Sequence, residues 1–411
     1  MLLESASGGD WDILFALPQQ RTLYFGTDLG SYDFFALLER EVVVKPQSNS
    51  SEIPFRGGWF VYLGYELLHT LEPRVNPQRI DANFPLAALI RMPAAVLVNH
   101  KRDETLLLCD MQVRDGFKQM RQDIAALQPA PALSLPAYTV VEEDAEIFLN
   151  GVARIQRYIT EGDVFQVNLA RQWTAEFATP IDAASLYRSL REKNPAPFSG
   201  IADFGAQQIV SSSPERLVRV RAGNIETRPI AGTHPRSDDP NKDRELKQLL
   251  RAHPKERAEH IMLVDLERND LGKICVPGSV VVSALMEVSS YRHVHHIESE
   301  IRGALSAGIS PAAVLRAVFP GGTITGCPKV RTMQIIRELE ASPRLAYTGS
   351  MGYINHDGDM DMNILIRSFM VDASRVTFKA GAGIVADSVP QRELDETRAK
   401  AEGLLRALSR G

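Results

Sequence analysis

FQVNLARQWTAEF (165–177), FSGIADFG (198–205), QQIVSSSP (207–214) and RLVRVRAGNIETRPI (216–230) are strand-like runs, rich in β-branched and aromatic residues and bounded by Gly, Pro and Ser. The style continues in SVVVSALMEV (279–288), AYTGSMGYINH (346–356), MNILIRSFMV (362–371) and RVTFKAGAGIV (375–385). Helical stretches fall between them in irregular order, which disfavours the regular alternation of a doubly wound sheet. The fold class read from this pattern is α+β, two interlocked lobes forming an antiparallel β-sandwich flanked by helices.

Upstream, residues 1–127 mix short strand-like runs (RTLYFG, EVVVK, WFVYLGYE, AAVLVN) with the helical DFFALLER and GFKQMRQDIAALQ, and read as an N-terminal α+β lobe. Residues 128–141 shift to Pro and Ala and are expected to link that lobe to a catalytic domain over 142–411. The chain has 411 residues, 44% hydrophobic, with a net charge of -5. It lacks the concentrated positive field that a nucleic acid or an anionic membrane requires. No apolar run reaches the ~18 residues of a membrane span, and no signal segment opens the chain, so a cytoplasmic location is expected. The three cysteines, Cys109, Cys275 and Cys327, are too scattered for a disulfide framework or a zinc site.

Two acidic pairs stand far apart, Glu256/Glu259 in PKERAEHIMLVDLERND (254–270) and Glu393/Glu396 in DSVPQRELDETRAKAEGLLRAL (387–408). Pro254 suits a first helical position, and Ser388 with Gln391 resembles a capping box. Each i, i+3 pair therefore projects from one helical face. Brought together by the fold they would make an oxygen-only cage for Mg²⁺; left apart they are solvated faces, with Glu396 paired to Lys400. FPGGTITGCPKVRTMQIIRELE (319–340) and KAGAGIVADS (379–388) can expose backbone N–H groups to an anion, although the first lacks Walker A spacing. Arg367 lies in an otherwise apolar strand-like run, where a charge needs a carboxylate partner from protein or ligand. His296 ends a local histidine cluster, YRHVHH.

SSSPERL, RPIAGTHPR, ERAEHIMLVDLERNDLG, VHHIESEIRG, FPGGTITGCPKVRTMQII, MGYINHDGDMDMNILIRS, GAGIVADS and ELDETRAKA occur in unbroken order from about Glu142 to the end. Together they resemble the chorismate-binding enzyme family. The resemblance implies Mg²⁺ held by Glu259 and Glu396, with Glu256 and Glu393 supporting through water. It implies a ring side lined by Gly232 and Thr233. The enolpyruvyl carboxylate would be held by Tyr347, Arg367 and the backbone of Gly381, Ala382 and Gly383. Glu215 resembles the general acid for the departing C4 hydroxyl, with His296 and Thr323 as its neighbours. A dianionic substrate needs two charge clamps, and allylic loss of hydroxide needs a positioned proton donor.

The water-using branches of the family place a lysine where this chain has Gln166, and glutamine there goes with ammonia. FQVNLAR, NPAPFSG and GGTITGCPK resemble the branch that makes 4-amino-4-deoxychorismate, for p-aminobenzoate and folate synthesis. Ala231, in PIAGT, instead matches the anthranilate-forming branch, since the former usually carries a nucleophilic lysine there. The resemblance also gives a tryptophan pocket, with Ser5 in LLES completed by Pro197, Phe198 and Ser199. Relatives carry extra residues before LLES, which implies a late start or an absent first strand. None of the cysteines sits on the glycine-flanked elbow of a glutaminase, so ammonia is expected from a separate glutaminase subunit.

Overall fold

The computed structural model describes residues 1–45, 52–75, 80, 83–131, 133–237, 239–252, 254–290 and 294–409. The side chains at 231, 233–235, 251–252, 254–256 and 294 stand outside that description, among them those of Ala231, Thr233 and Glu256. The described residues form two large sheets in which the strand pairings are antiparallel.

In the first sheet the order runs Gly326–Cys327, Gln166–Phe177, Arg375–Ile384, Ser368–Asp372, Gln207–Ser213, Phe198–Asp203, Leu2–Glu4, Trp11–Ala16, Ala94–Asn99, Glu104–Cys109. In the second it runs Ile230–Pro235, Val294–Ala304, Asn224–Thr227, Arg216–Arg221, Met360–Asn363, Ser350–Asn355, Gly58–Leu63, Ala87–Met92, Arg21–Tyr24. Strands from the first 127 residues enter both sheets: Leu2–Glu4 pairs with Phe198–Asp203, and Gly58–Leu63 with Ser350–Asn355. Tyr138–Glu142 pairs with the Gln166–Phe177 strand.

The sheets face one another across a core of Phe15, Phe60, Tyr62, Ile90, Leu97, Ile209 and Met351, drawn from both. Gly58–Leu63 is buried along its whole length. Its Phe60 and Tyr62 enter that core, while Trp59, Val61 and Leu63 pack under the helices Phe34–Glu41 and Pro311–Val318. A strand covered on both faces has no polar face to show, which explains the unbroken apolar run WFVYL. Helices Ala183–Lys193 and Pro390–Leu408 cover the outer face of the first sheet.

Some local expectations differ from the structure. EVVVK forms no strand: Glu41 ends a helix, and Val43 and Val44 are exposed. MNILIRSFMV is broken, because Arg367 takes a left-handed φ of 52° between the strands Met360–Asn363 and Ser368–Asp372. The capping box at Ser388 is absent, since Val389 is the N-cap and makes no side-chain cap. The Ser388 hydroxyl is spent on the Val385 N–H at 3.1 Å, and Pro390 opens the helix without an N–H to satisfy. Pro254 does open its helix, Pro254–Gly272. No described helix is long and apolar enough to cross a membrane.

Candidate active site

The strand Arg375–Ile384 places Gly381, Ala382 and Gly383 opposite Ala170, Leu169 and Asn168. A side chain on either glycine would force its neighbours to shift. A Cβ on Gly381 would lie 2.7 Å from Asn168 Oδ1 and 2.9 Å from Tyr347 Oη; one on Gly383 would strike Gln166 Nε2 and lie 2.9 Å from Glu259 Oε1. Gln166 Nε2 donates a hydrogen bond to Glu259 Oε1. On the other flank Lys400 Nζ donates to Gly381 O at 3.0 Å and pairs with Glu396 Oε1 at 2.7 Å. The two acidic helices therefore meet at the end of one strand, and Glu396 makes the lysine pair that its spacing allows.

Glu393 is buried in the first turn of Pro390–Leu408, where a carboxylate gains from the helix N-terminus. Glu256 lies outside the described side chains. Among the described residues, no three His, Cys, Asp or Glu side chains cluster closely enough to hold an ion. Glu259, Glu393 and Glu396 are all oxygen donors, the chemistry that Mg²⁺ selects.

Glu215 is 5% exposed, and burial pushes its carboxyl up to about 7. The Thr323 hydroxyl, the Ile230 backbone, Lys400 and Arg367 oppose that rise. Glu215 Oε1 and Thr323 Oγ1 are both buried, and the hydroxyl acts on the carboxyl without reaching the geometry of a full hydrogen bond. Arg367 makes no salt bridge among the described residues; burial lowers its pKa and the charge of Glu215 opposes this. His296 is 3% exposed, and burial, aided by the Arg367 charge, pushes its imidazole down to about 4. It is neutral at pH 7. His296 pairs in register with Thr233 beside Gly232, whose φ of 67° sits at a break in register between Ala231 and Thr233. A bulge with left-handed backbone is where glycine is favoured.

Sequence reasoning missed two charged groups. Lys400 entered only as the partner that would neutralise Glu396, whereas its ammonium also holds Gly381 O and acts on Glu215. Burial pushes Glu267 up to about 8, against the hydroxyl of Thr227, and the Glu215 charge adds to the rise. Its signal was its spacing, i+8 from Glu259 in one helix.

Ser5, Pro197, Phe198 and Ser199 come together at a cavity of about 940 Å³ that Trp11, Arg216 and Met351 also line. The Arg216 guanidinium lies 5.0 Å over the Phe198 ring. All three cysteines are free, and burial pushes each thiol above its ordinary value, the reverse of an activated nucleophile.

Residues 1–406 match the family described as chorismate binding enzyme, and the chain belongs to that family. The anthranilate synthase component I-like protein of Synechocystis is 39% identical, over 87% of this chain and 73% of its own. Anthranilate synthase component 1 of Aquifex aeolicus is 36% identical, over 99% and 89%. Aminodeoxychorismate synthase component 1 of Bacillus subtilis is 35% identical, over 99% and 91%. The crystal structure of anthranilate synthase component I from Streptococcus pneumoniae superposes with a TM-score of 0.86 at 31% identity, covering 96% of this chain and 92% of that one. The protein is a chorismate-using enzyme of the group that holds the anthranilate and aminodeoxychorismate synthases.

Proposed function

We propose that the protein aminates chorismate with ammonia to give 4-amino-4-deoxychorismate and water, with Mg²⁺ bound. The observation that carries the ammonia half is Gln166, a neutral amide held against Glu259 at the glycine strand. An amide is no base for water, and ammonia attacks through its own lone pair without deprotonation. Glu259, Glu393 and Glu396, with Glu256, are the residues that would hold the metal. A metal held there would supply positive charge against the ring carboxylate and so favour loss of the hydroxyl.

Arg367 and Tyr347, with the N–H groups of the glycine segment, bind the second carboxylate. Glu215, with its raised pKa, holds a proton near neutrality and gives it to the C4 oxygen as that bond breaks, so water leaves. Neutral His296 and the Thr323 hydroxyl orient the ring. Ala231 carries no amine, so no covalent adduct forms at that position, and ammonia or another group does the C2 chemistry.

A second reading, anthranilate formation, is favoured by Ala231 and by the names of several relatives. The segments FQVNLAR, NPAPFSG and GGTITGCPK favour the first. We assign the ammonia supply to a separate glutaminase subunit and L-tryptophan to the inter-sheet cavity; a Tm raised by L-tryptophan and not by its D isomer checks the latter. Chromatography of the product formed from chorismate, Mg²⁺ and ammonium tests the main reading. Aminodeoxychorismate is expected, and anthranilate or isochorismate would overturn it.

A further inference from the structure

The buried Arg344 takes no part in the mechanism above, yet its contacts reach Tyr347 and the chain beside Gln166 and Thr323. Its side chain is 1% exposed, and its Nε donates to both oxygens of Glu340, at 3.1 and 3.0 Å, while Nη2 reaches Glu340 Oε1 at 2.6 Å. The remaining donors leave this pair. Nη2 also donates to Asn168 O at 2.7 Å, and Nη1 to Ile324 O at 2.9 Å. Asn168 lies two residues beyond Gln166 on the same strand, and Ile324 adjoins Thr323. The guanidinium is stacked 5.5 Å from the Tyr347 ring, and Arg344 O accepts the Tyr347 N–H at 2.9 Å.

Other carboxylate contacts hold this hub in place. Glu340 Oε1 also accepts the Ala170 N–H at 3.0 Å. Glu66, from the N-terminal part of the chain, accepts the N–H groups of Arg344 and Leu345 at 2.7 and 2.9 Å. Leu345 and Thr348 have left-handed φ values of 53° and 61°, so the turn carrying Tyr347 is held in a conformation that its residues disfavour. A planar fork with several donors can hold two carbonyls and a carboxylate at once, which a lysine ammonium at the end of a flexible stem does not reproduce.

We propose that Arg344, oriented by Glu340 and Glu66, is a positioning residue that sets Tyr347, Thr323 and Gln166 in one mutual geometry for the reaction. The assignment rests on the function proposed above. It places control of the site in a cluster that need touch neither substrate nor metal.

The test is steady-state chorismate consumption at saturating Mg²⁺ and ammonium, which reads alike whichever amino product forms, alongside circular dichroism and Tm. R344K keeps the charge opposite Glu340. The paired R344M/E340M removes both buried charges, so neither is left alone. For each folded variant kcat is expected to fall ~100-fold, the scale of a small misplacement of reacting groups. KM should rise less than ~5-fold, because Arg367 and the glycine backbone still hold the carboxylate. A merely structural arginine would lower Tm and leave kcat of the folded enzyme unchanged. An inert wild-type enzyme overturns the functional reading and this assignment with it. An active wild type beside a folded R344K with kcat within ~2-fold, or failure of both variants to fold, overturns the assignment alone.

Discussion

Gln166 Nε2 donates its hydrogen bond to Glu259 Oε1, so the residue proposed to favour ammonia and a residue proposed to hold the metal are in direct contact. The amide also lies where a Cβ on Gly383 would fall. Replacing it by Gln166→Lys sets an ammonium against Glu259 and removes the neutral donor. The ammonium pairs with the Glu259 carboxylate and competes with a metal for it. Ammonium-dependent chorismate consumption should fall at least ~10-fold; an unchanged rate would remove Gln166 from the site.

Gly383→Ala tests the same contact from the opposite strand. The added methyl meets both Gln166 and Glu259. Overpacking of this kind costs ~1–3 kcal/mol, visible as a lowered Tm. Because Glu259 must move, the Mg²⁺ concentration for half-maximal rate should rise. A variant with wild-type Tm and Mg²⁺ dependence contradicts the placement.

Glu215 gives a pH prediction. Burial pushes its carboxyl to about 7, so the protonated donor is lost as pH rises through that value, and with free ammonia held constant the rate should fall on the alkaline side. Glu215→Gln cannot transfer a proton and should lose ~10²–10⁴-fold in kcat. A wild-type rate still rising well above pH 8 would assign the acid elsewhere.

Glu267 makes a separate claim about stability. Its folded pKa is about 8, raised chiefly by burial from an ordinary value of 4.5. The folded chain therefore keeps a proton that the unfolded chain releases. The stabilisation is complete below the unfolded pKa and is lost as pH rises toward about 8. Glu267→Gln should gain in urea midpoint relative to wild type between about pH 5 and about pH 9; a constant difference across that range contradicts it.

The main strands were legible because their signals are local. Alternating apolar runs gave the strands, and the family resemblance put forward Glu215, Gln166 and the acidic pairs, of which Gln166 lies against Glu259 and Glu396 against Lys400. Arg367 was misplaced within a strand because an apolar run hides a single left-handed residue. Ser388 failed as a cap because Val385, on its N-terminal side, claims its hydroxyl. The further contacts of Lys400, and the parts played by Glu267 and Arg344, were missed for a different reason. Each takes its meaning from partners distant in sequence: Gly381 for Lys400, Thr227 for Glu267, and Asn168 and Glu66 for Arg344.

The most direct test of the central claim is incubation with chorismate, Mg²⁺ and ammonium, with and without a lyase that eliminates pyruvate from 4-amino-4-deoxychorismate. The account predicts p-aminobenzoate only when the lyase is present. Fluorescent anthranilate formed without the lyase would contradict it.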